Sequence, residues 1–219
     1  MAVAARVLTI PELDSEPGLL HGFSTLVIGN VARALGIDAE TLTVLGAVHG
    51  ATVVRVDEPR DVIQGVDGLV TDRRGVSMFA TFADCFPIVL WDPEKRCAAL
   101  VHAGWRGTVA GVARAAVRAM AAEYGSKPSQ IRAGIGPGIC GRCYEVGDEV
   151  ASRFESRFVT NGQGDRFLLD LAAANRAQLN EAGVEDVHVL GLCTKETSFL
   201  PSHRRSPDGS RFGAIVALR

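Results

Sequence analysis

Residues 83–125 read ADCFPIVLWDPEKRCAALVHAGWRGTVAGVARAAVRAMAAEYG, and the order of patterns within them decides the fold class. Residues 88–91 and 97–102 are short β-rich runs. Between them, Asp92-Pro93-Glu94-Lys95 places Asp at the first turn position and Pro at the second, which joins the two runs as a hairpin. A helix follows at once: Thr108 reads as its N-cap, Val109, Val112, Ala116, Val117 and Met120 recur at helical spacing, and Gly125 supplies the stop. The apolar stripe of that helix has to cover a sheet or another helix.

Working outward, residues 41–48 and 51–56 read as β segments meeting at His49-Gly50, and residues 76–82 as a further one. Residues 31–36 are helix-like. Val146, Val150, Phe154 and Phe158, at four-residue intervals, suggest another helix, and Asp170 before LAAANRAQLNEAG suggests one more, ending at Gly183. Residues 187–190 and 212–218 are the closing strands. Hairpins mixed with helices argue against a purely parallel sheet, so the expectation is an α/β (α+β) sandwich with a mixed β-sheet covered by helices. No internal repeat, low-complexity tract or linker marks a boundary, and residues 1–219 are taken as a single domain.

Lys and Arg number 23 against 25 Asp and Glu, a formal net charge of -2, and no run of like charges concentrates either sign. That removes the electrostatic footprint of a nucleic-acid binder. No stretch approaches the roughly 18 apolar residues of a membrane span. The opening MAVAARVLTIPELDSEPG is broken by Pro11 and acidic residues too early for a secretory signal, so the expected location is cytoplasmic. Five cysteines in a chain of this length read as reduced thiols rather than a disulfide scaffold.

Three segments put a metal-capable or nucleophilic side chain beside a glycine or a bend: Val48-His49-Gly50, Ala83-Asp84-Cys85-Phe86-Pro87 and Val101-His102-Ala103-Gly104-Trp105-Arg106-Gly107. Two imidazoles and a thiolate suit a zinc ion with three protein ligands and one open position. Each residue also has a plainer reading. Cys85 could be a small buried hydrophobe, and His49 and His102 hydrogen-bonded structural histidines. Trp105 and Arg106 could be a helix-entry plug and a surface charge. Cys140-Gly141-Arg142-Cys143 is a CxxC with no second pair at zinc-ribbon spacing and no thioredoxin-like context, which favours a structural role apart from the active-site metal. His21, His188, Cys97 and Cys193 belong to no visible constellation.

In combination, VHG, ADCFPIVLWDP, ALVHAGWRGTVAGV, IGPGICGRCYEVGDEV, DLAAANRAQLNEAGVEDV, GLCT and PSHRR follow one another in an order that resembles the YfiH-like family. Its members have been labelled laccase-domain or polyphenol oxidase proteins and assigned purine nucleoside phosphorylase activity. The resemblance implies zinc, in preference to copper, held by His49, Cys85 and His102. It also implies phosphorolysis of adenosine, inosine, guanosine and methylthioadenosine, and hydrolytic deamination of adenosine, with purine nucleoside and phosphate as partners. Asp84 beside Cys85 becomes the candidate acid/base or supporting carboxylate. Arg106, Arg204 and Arg205 become the candidate anion-holding cations, since guanidinium grips phosphate through two donors at once.

The amino-terminal part departs from the family pattern. Relatives continue HGFS with Thr-Arg and a glycine-rich loop, whereas here HGFST runs into Leu26-Val27-Ile28-Gly29-Asn30, and about two dozen residues of loop are absent by comparison. Competing expectations are a cysteine hydrolase or peptidoglycan-editing factor using Cys85 and His102, a copper-type polyphenol oxidase, and a non-catalytic nucleoside-binding relative. Metal content and chelator sensitivity separate the first of these from a zinc enzyme.

Overall fold

The computed structural model describes residues 7–26 and 30–219. Two mixed sheets face one another. The first has the order β1 (Leu19–Phe23), β14 (Phe212–Leu218), β6 (Ser77–Phe82), β2 (Leu42–Gly46) and β4 (Val62–Gln64), with two antiparallel pairings followed by two parallel ones. The second runs β13 (Asp186–Val189), β9 (Arg132–Ile135), β7 (Phe86–Asp92), β8 (Cys97–Ala103), β5 (Gly68–Thr71) and β3 (Val53–Arg55), antiparallel inside and parallel at both edges. A small antiparallel sheet, β10 (Glu145–Val146), β12 (Phe167–Leu169) and β11 (Val159–Asn161), stands beside them. The helices are α1 (Pro11–Asp14), α2 (Val31–Ala34), α3 (Trp105–Val109), α4 (Val112–Tyr124), α5 (Asp148–Ala151) and α6 (Leu171–Glu181).

Strand periodicity sorts the apolar residues into two cores. Ile88, Leu90, Ala99 and Val101 join α4 and α6 through Val112, Ala116, Met120, Leu171 and Leu179, while Val89, Trp91, Ala98 and Leu100 pack against Met78, Phe82, Phe212 and Val216 of the first sheet. Being covered on both faces, β7 and β8 are buried along their whole length, which is why both read as near-continuous hydrophobic runs. The Asp92 turn forms as expected: Asp92 Oδ1 accepts from the Glu94 and Lys95 N–H groups at 2.9 and 3.0 Å, and Asp92 pairs with Cys97.

The expected α/β sandwich of mixed sheet and helices forms, with two mixed sheets facing one another, while several local expectations change. Residues 41–48 and 51–56 do not stay together, because β2 joins the first sheet and β3 the second. Thr108 is no N-cap. It lies inside α3, its hydroxyl donating to the Gly104 carbonyl at 3.0 Å, and the long helix begins only after Gly111, whose φ of 80° breaks the chain's course. The helix expected from Val146 to Phe158 does not form either: Val146 pairs with Phe167, Gly147 is extended, and only Asp148–Ala151 makes a turn of α-helix. The helix from Asp170 forms, with Asp170 Oδ1 accepting from the Ala173 N–H at 2.9 Å. Of the divergent amino-terminal stretch, Val27, Ile28 and Gly29 lie outside the described residues.

Candidate metal centre

The chain crosses from the first sheet to the second between β2 and β3 and again between β6 and β7. Each crossing holds a non-glycine residue in the left-handed region, His49 with φ 62° and Asp84 with φ 79°. Such residues are uncommon, although His, Asn and Asp are the types that tolerate it best. Cys85 follows Asp84 directly, and His102 sits near the end of β8, on the face it shares with Leu100 toward the first sheet. The ligand atoms of His49, Cys85 and His102 all lie within 4.8 Å of one another. The two imidazoles meet edge to face with centroids 4.9 Å apart, and His102 stacks on Phe82 at 5.1 Å. His49 is exposed, Cys85 half-buried and His102 buried, so the group opens on one side.

Asp67, at the start of β5, supports this group from behind. It is buried; its Oδ2 accepts from the Gly50 N–H at 2.7 Å, its carbonyl accepts from the His102 N–H at 2.8 Å, and its Oδ1 lies 3.7 Å from His102 Nδ1. Burial pushes the Asp67 carboxyl up, but His102 and the Gly50 N–H outweigh it and hold the carboxyl below its ordinary range. Burial likewise pushes the Cys85 thiol up, and the His102 and His49 side chains more than reverse this, bringing it down to about 7. A thiol that surrenders its proton this readily meets the condition for ligating a metal ion.

Glycine supplies the remaining space. A Cβ at Gly104 would come within 2.9 Å of Cys85 Sγ and 3.0 Å of His49 Cδ2, and one at Gly107 within 2.8 Å of the Gly50 carbonyl oxygen. The HAGWRG turn can thus pass against the ligand group only as backbone. Two nitrogens, one polarised sulfur and an open side fit a single metal ion with three protein ligands.

The group forms part of the wall of a cavity of about 710 Å³ whose cationic lining is Arg106, Arg204 and Arg211. Arg106 lies over the Trp105 ring at 4.3 Å. Arg204 lies over Tyr144 at 4.9 Å and donates to the Glu145 carbonyl at 2.7 Å. Arg205, expected to hold an anion with them, is turned onto the chain instead. Its guanidinium donates to the carbonyls of Thr194, Lys195 and Thr197 at 2.7, 3.2 and 3.1 Å, and to that of Leu200. Asp84 lines the cavity with both oxygens accepting, Oδ1 from the Thr194 hydroxyl at 2.6 Å and Oδ2 from the Arg204 N–H at 2.7 Å.

The family described as multi-copper polyphenol oxidoreductase laccase matches residues 27–219. The chain belongs to this laccase family. It is 41% identical over 192 residues to a purine nucleoside phosphorylase of Deinococcus radiodurans, covering 86% of this chain and 74% of the relative. Against an adenosine deaminase of an unknown prokaryotic organism the identity is 35% over 201 residues, 83% of this chain and 76% of the relative. Among solved structures, the hypothetical protein YfiH of Bacillus licheniformis matches with TM-score 0.89 at 27% identity, covering 100% of this chain and 98% of that one. YlmD of Geobacillus stearothermophilus matches at TM-score 0.86 and 29% identity, over 93% of each chain.

On this laccase-family fold, three of the short motifs meet in space while Asp67, Tyr144 and Arg211, which sequence reading misses, join them from elsewhere. Asp67 and Arg211 belong to none of the quoted motifs, and Tyr144, although it lies within IGPGICGRCYEVGDEV, is brought to the cavity wall only by the fold. Among the described residues no helix is long and apolar enough to cross a membrane, and all five cysteines are free.

Proposed function

We propose that this protein is a zinc-dependent purine nucleoside phosphorylase, acting on adenosine, inosine and methylthioadenosine, with adenosine deamination as a side activity. The observation that carries the reading is the convergence of His49, Cys85 and His102 in a cavity lined by arginines, in a chain whose relatives bear both enzyme names. Zinc held by these three residues supplies Lewis-acid polarisation to an oxygen in the cavity. The remaining work falls to the chain's own groups.

Asp67 orients His102, and Cys85 contributes negative charge. Arg106, with Arg204 and Arg211, holds phosphate against the sugar; an oxygen of hydrogen phosphate forms the new bond to the anomeric carbon as the carbon–nitrogen bond to the base breaks, and the base departs with the proton that hydrogen phosphate gives up. Trp105 and Tyr144 offer flat apolar surface for a purine. Asp84, with both oxygens already engaged, acts as a positioning residue for Cys85 and the Arg204 segment. Two imidazoles and one thiolate suit a single zinc ion. The multicopper reading of the family description asks for more histidines than this group holds.

A cysteine hydrolase is the second reading, favoured by the lowered Cys85 thiol beside His102. One experiment separates the two: metal-quantified protein is incubated with adenosine, with and without phosphate. Adenine with ribose 1-phosphate supports the phosphorylase, inosine the deaminase; no product from adenosine, with activity that survives chelation on a peptide or ester substrate, overturns the zinc-enzyme reading and supports the hydrolase.

A further inference from the structure

A second cluster of metal-ligating side chains shares no residue with the first. The ligand atoms of Cys140, Cys143, Cys193 and Glu196 all lie within 4.8 Å of one another. Sequence reading sees only an isolated CxxC here, because the other thiol comes 53 residues after Cys140.

Local backbone geometry brings the four together. The Cys143 and Tyr144 N–H groups donate to the Cys140 carbonyl at 2.9 and 3.0 Å, curling the CxxC into a tight turn. Gly138 bridges Cys193 in parallel, with the Thr194 N–H donating to the Gly138 carbonyl at 3.0 Å. The Thr197 N–H donates to the Cys193 carbonyl at 2.9 Å, turning Glu196 back toward the thiols. Cys193 is buried, and the Cys140 N–H donates to its sulfur at 3.4 Å, an arrangement that favours thiolate. Glu196 Oε1 lies 3.5 Å from Cys143 Sγ and Glu196 Oε2 3.8 Å from Cys140 Sγ. Zinc–sulfur distances of about 2.3 Å and zinc–oxygen distances of about 2.0–2.2 Å set donor–donor edges of roughly 3.5–3.8 Å in a tetrahedron. Arg142 donates to both Glu196 oxygens at 3.1 and 3.3 Å, so a cation stands by to offset the excess negative charge of three thiolates and a carboxylate around a divalent ion.

We propose that Cys140, Cys143, Cys193 and Glu196 form a second, structural metal site that takes one zinc ion in a closed set of three sulfurs and one oxygen. Its place in the fold gives it a purpose. Both segments it ties together hold Asp84, the Ile139 N–H donating to the Asp84 carbonyl at 2.9 Å and the Thr194 hydroxyl to Oδ1 at 2.6 Å. A metal there locks the two segments that position Asp84, and through it Cys85. The inference stands independently of the phosphorylase reading.

The test is zinc stoichiometry. Wild-type chain, a Cys140→Ser/Cys143→Ser variant and a His49→Ala/His102→Ala variant are stripped, reloaded with zinc under reducing conditions, passed through a desalting column and analysed by mass spectrometry for metal. Wild type is expected to hold two zinc ions per chain and the histidine variant one. Cobalt loaded into the histidine variant should show the strong thiolate-to-metal absorption of a multi-sulfur site, which is lost when Glu196→Gln and Cys193→Ala are added. Zinc retained by the histidine variant supports the site even where the cysteine variant fails to fold. A histidine variant that holds no zinc overturns it, as does one whose cobalt complex lacks thiolate absorption. If wild type holds one zinc that survives in the histidine variant, the second site stands and the first falls.

Discussion

Asp67 Oδ1 lies 3.7 Å from His102 Nδ1, and both atoms are buried without a hydrogen-bond partner. Facing an acceptor, Nδ1 is the nitrogen that keeps its proton, which turns Nε2 toward the ligand group. An Asp67→Asn variant keeps an oxygen for the Gly50 N–H but presents an amide to His102. Zinc affinity, measured by chelator competition, should fall by about 10- to 100-fold while the metal-free protein melts close to wild type. Unchanged affinity would mean that stacking on Phe82 alone aims the imidazole.

Gly104→Ala should expel the metal without unfolding the sheets. The new methyl group would stand 2.9 Å from Cys85 Sγ and 3.0 Å from His49 Cδ2, so the two ligands must separate. The expected result is loss of zinc from this site with a preserved circular dichroism spectrum. Full zinc occupancy in the variant would show that the HAGWRG turn can move away.

Arg106 has no ion-pair partner among the described residues and lies over the Trp105 ring, so its charge faces the cavity uncommitted to any carboxylate. Arg106→Ala should weaken phosphorolysis by about 1.5–3 kcal/mol through a raised phosphate requirement, and leave deamination much less affected. Both activities are to be followed across phosphate concentrations. Equal losses would assign Arg106 to holding the site together, and no loss in either would place it outside the reaction.

His21, on β1, supplies a pH dependence of its own. It is buried, its Nε2 accepts the Ile10 N–H at 2.8 Å, and burial above all holds its pKa below the ordinary 6.5 despite the opposing pull of Asp14. The unfolded chain therefore takes up the proton more readily than the folded one. Stability from this residue is complete above 6.5 and is lost as pH falls through that value toward the lowered folded one. Urea midpoints measured across that window should fall more steeply for wild type than for His21→Gln. Parallel curves would remove His21 from the acid response.

Elements whose structure is decided within a few residues were legible directly. The Asp92 turn, the stop at Gly125 with φ 69°, the cap at Asp170 and the closing strand Phe212–Leu218 each rest on turn chemistry or local periodicity. The spacing of Val146, Val150, Phe154 and Phe158 misleads because a four-residue interval says nothing about Phe167, whose pairing with Val146 takes the start of the segment into a strand.

The sequence by itself determined the ligand types, their placement at strand ends and the glycines beside them, since those follow from residue chemistry and short-range backbone preference. Only the tertiary structure decided which distant groups meet. Asp67 reaches His102 through the pairing of β5 with β8, Cys193 reaches Cys140 through its bridge to Gly138, and Arg205 is withdrawn from the cavity by carbonyls that no motif announces. The first depends on which sheet a segment joins, and the other two on how the loops beyond the sheets pack. The choice of sheet is set by burying apolar faces across the whole molecule and leaves no local mark.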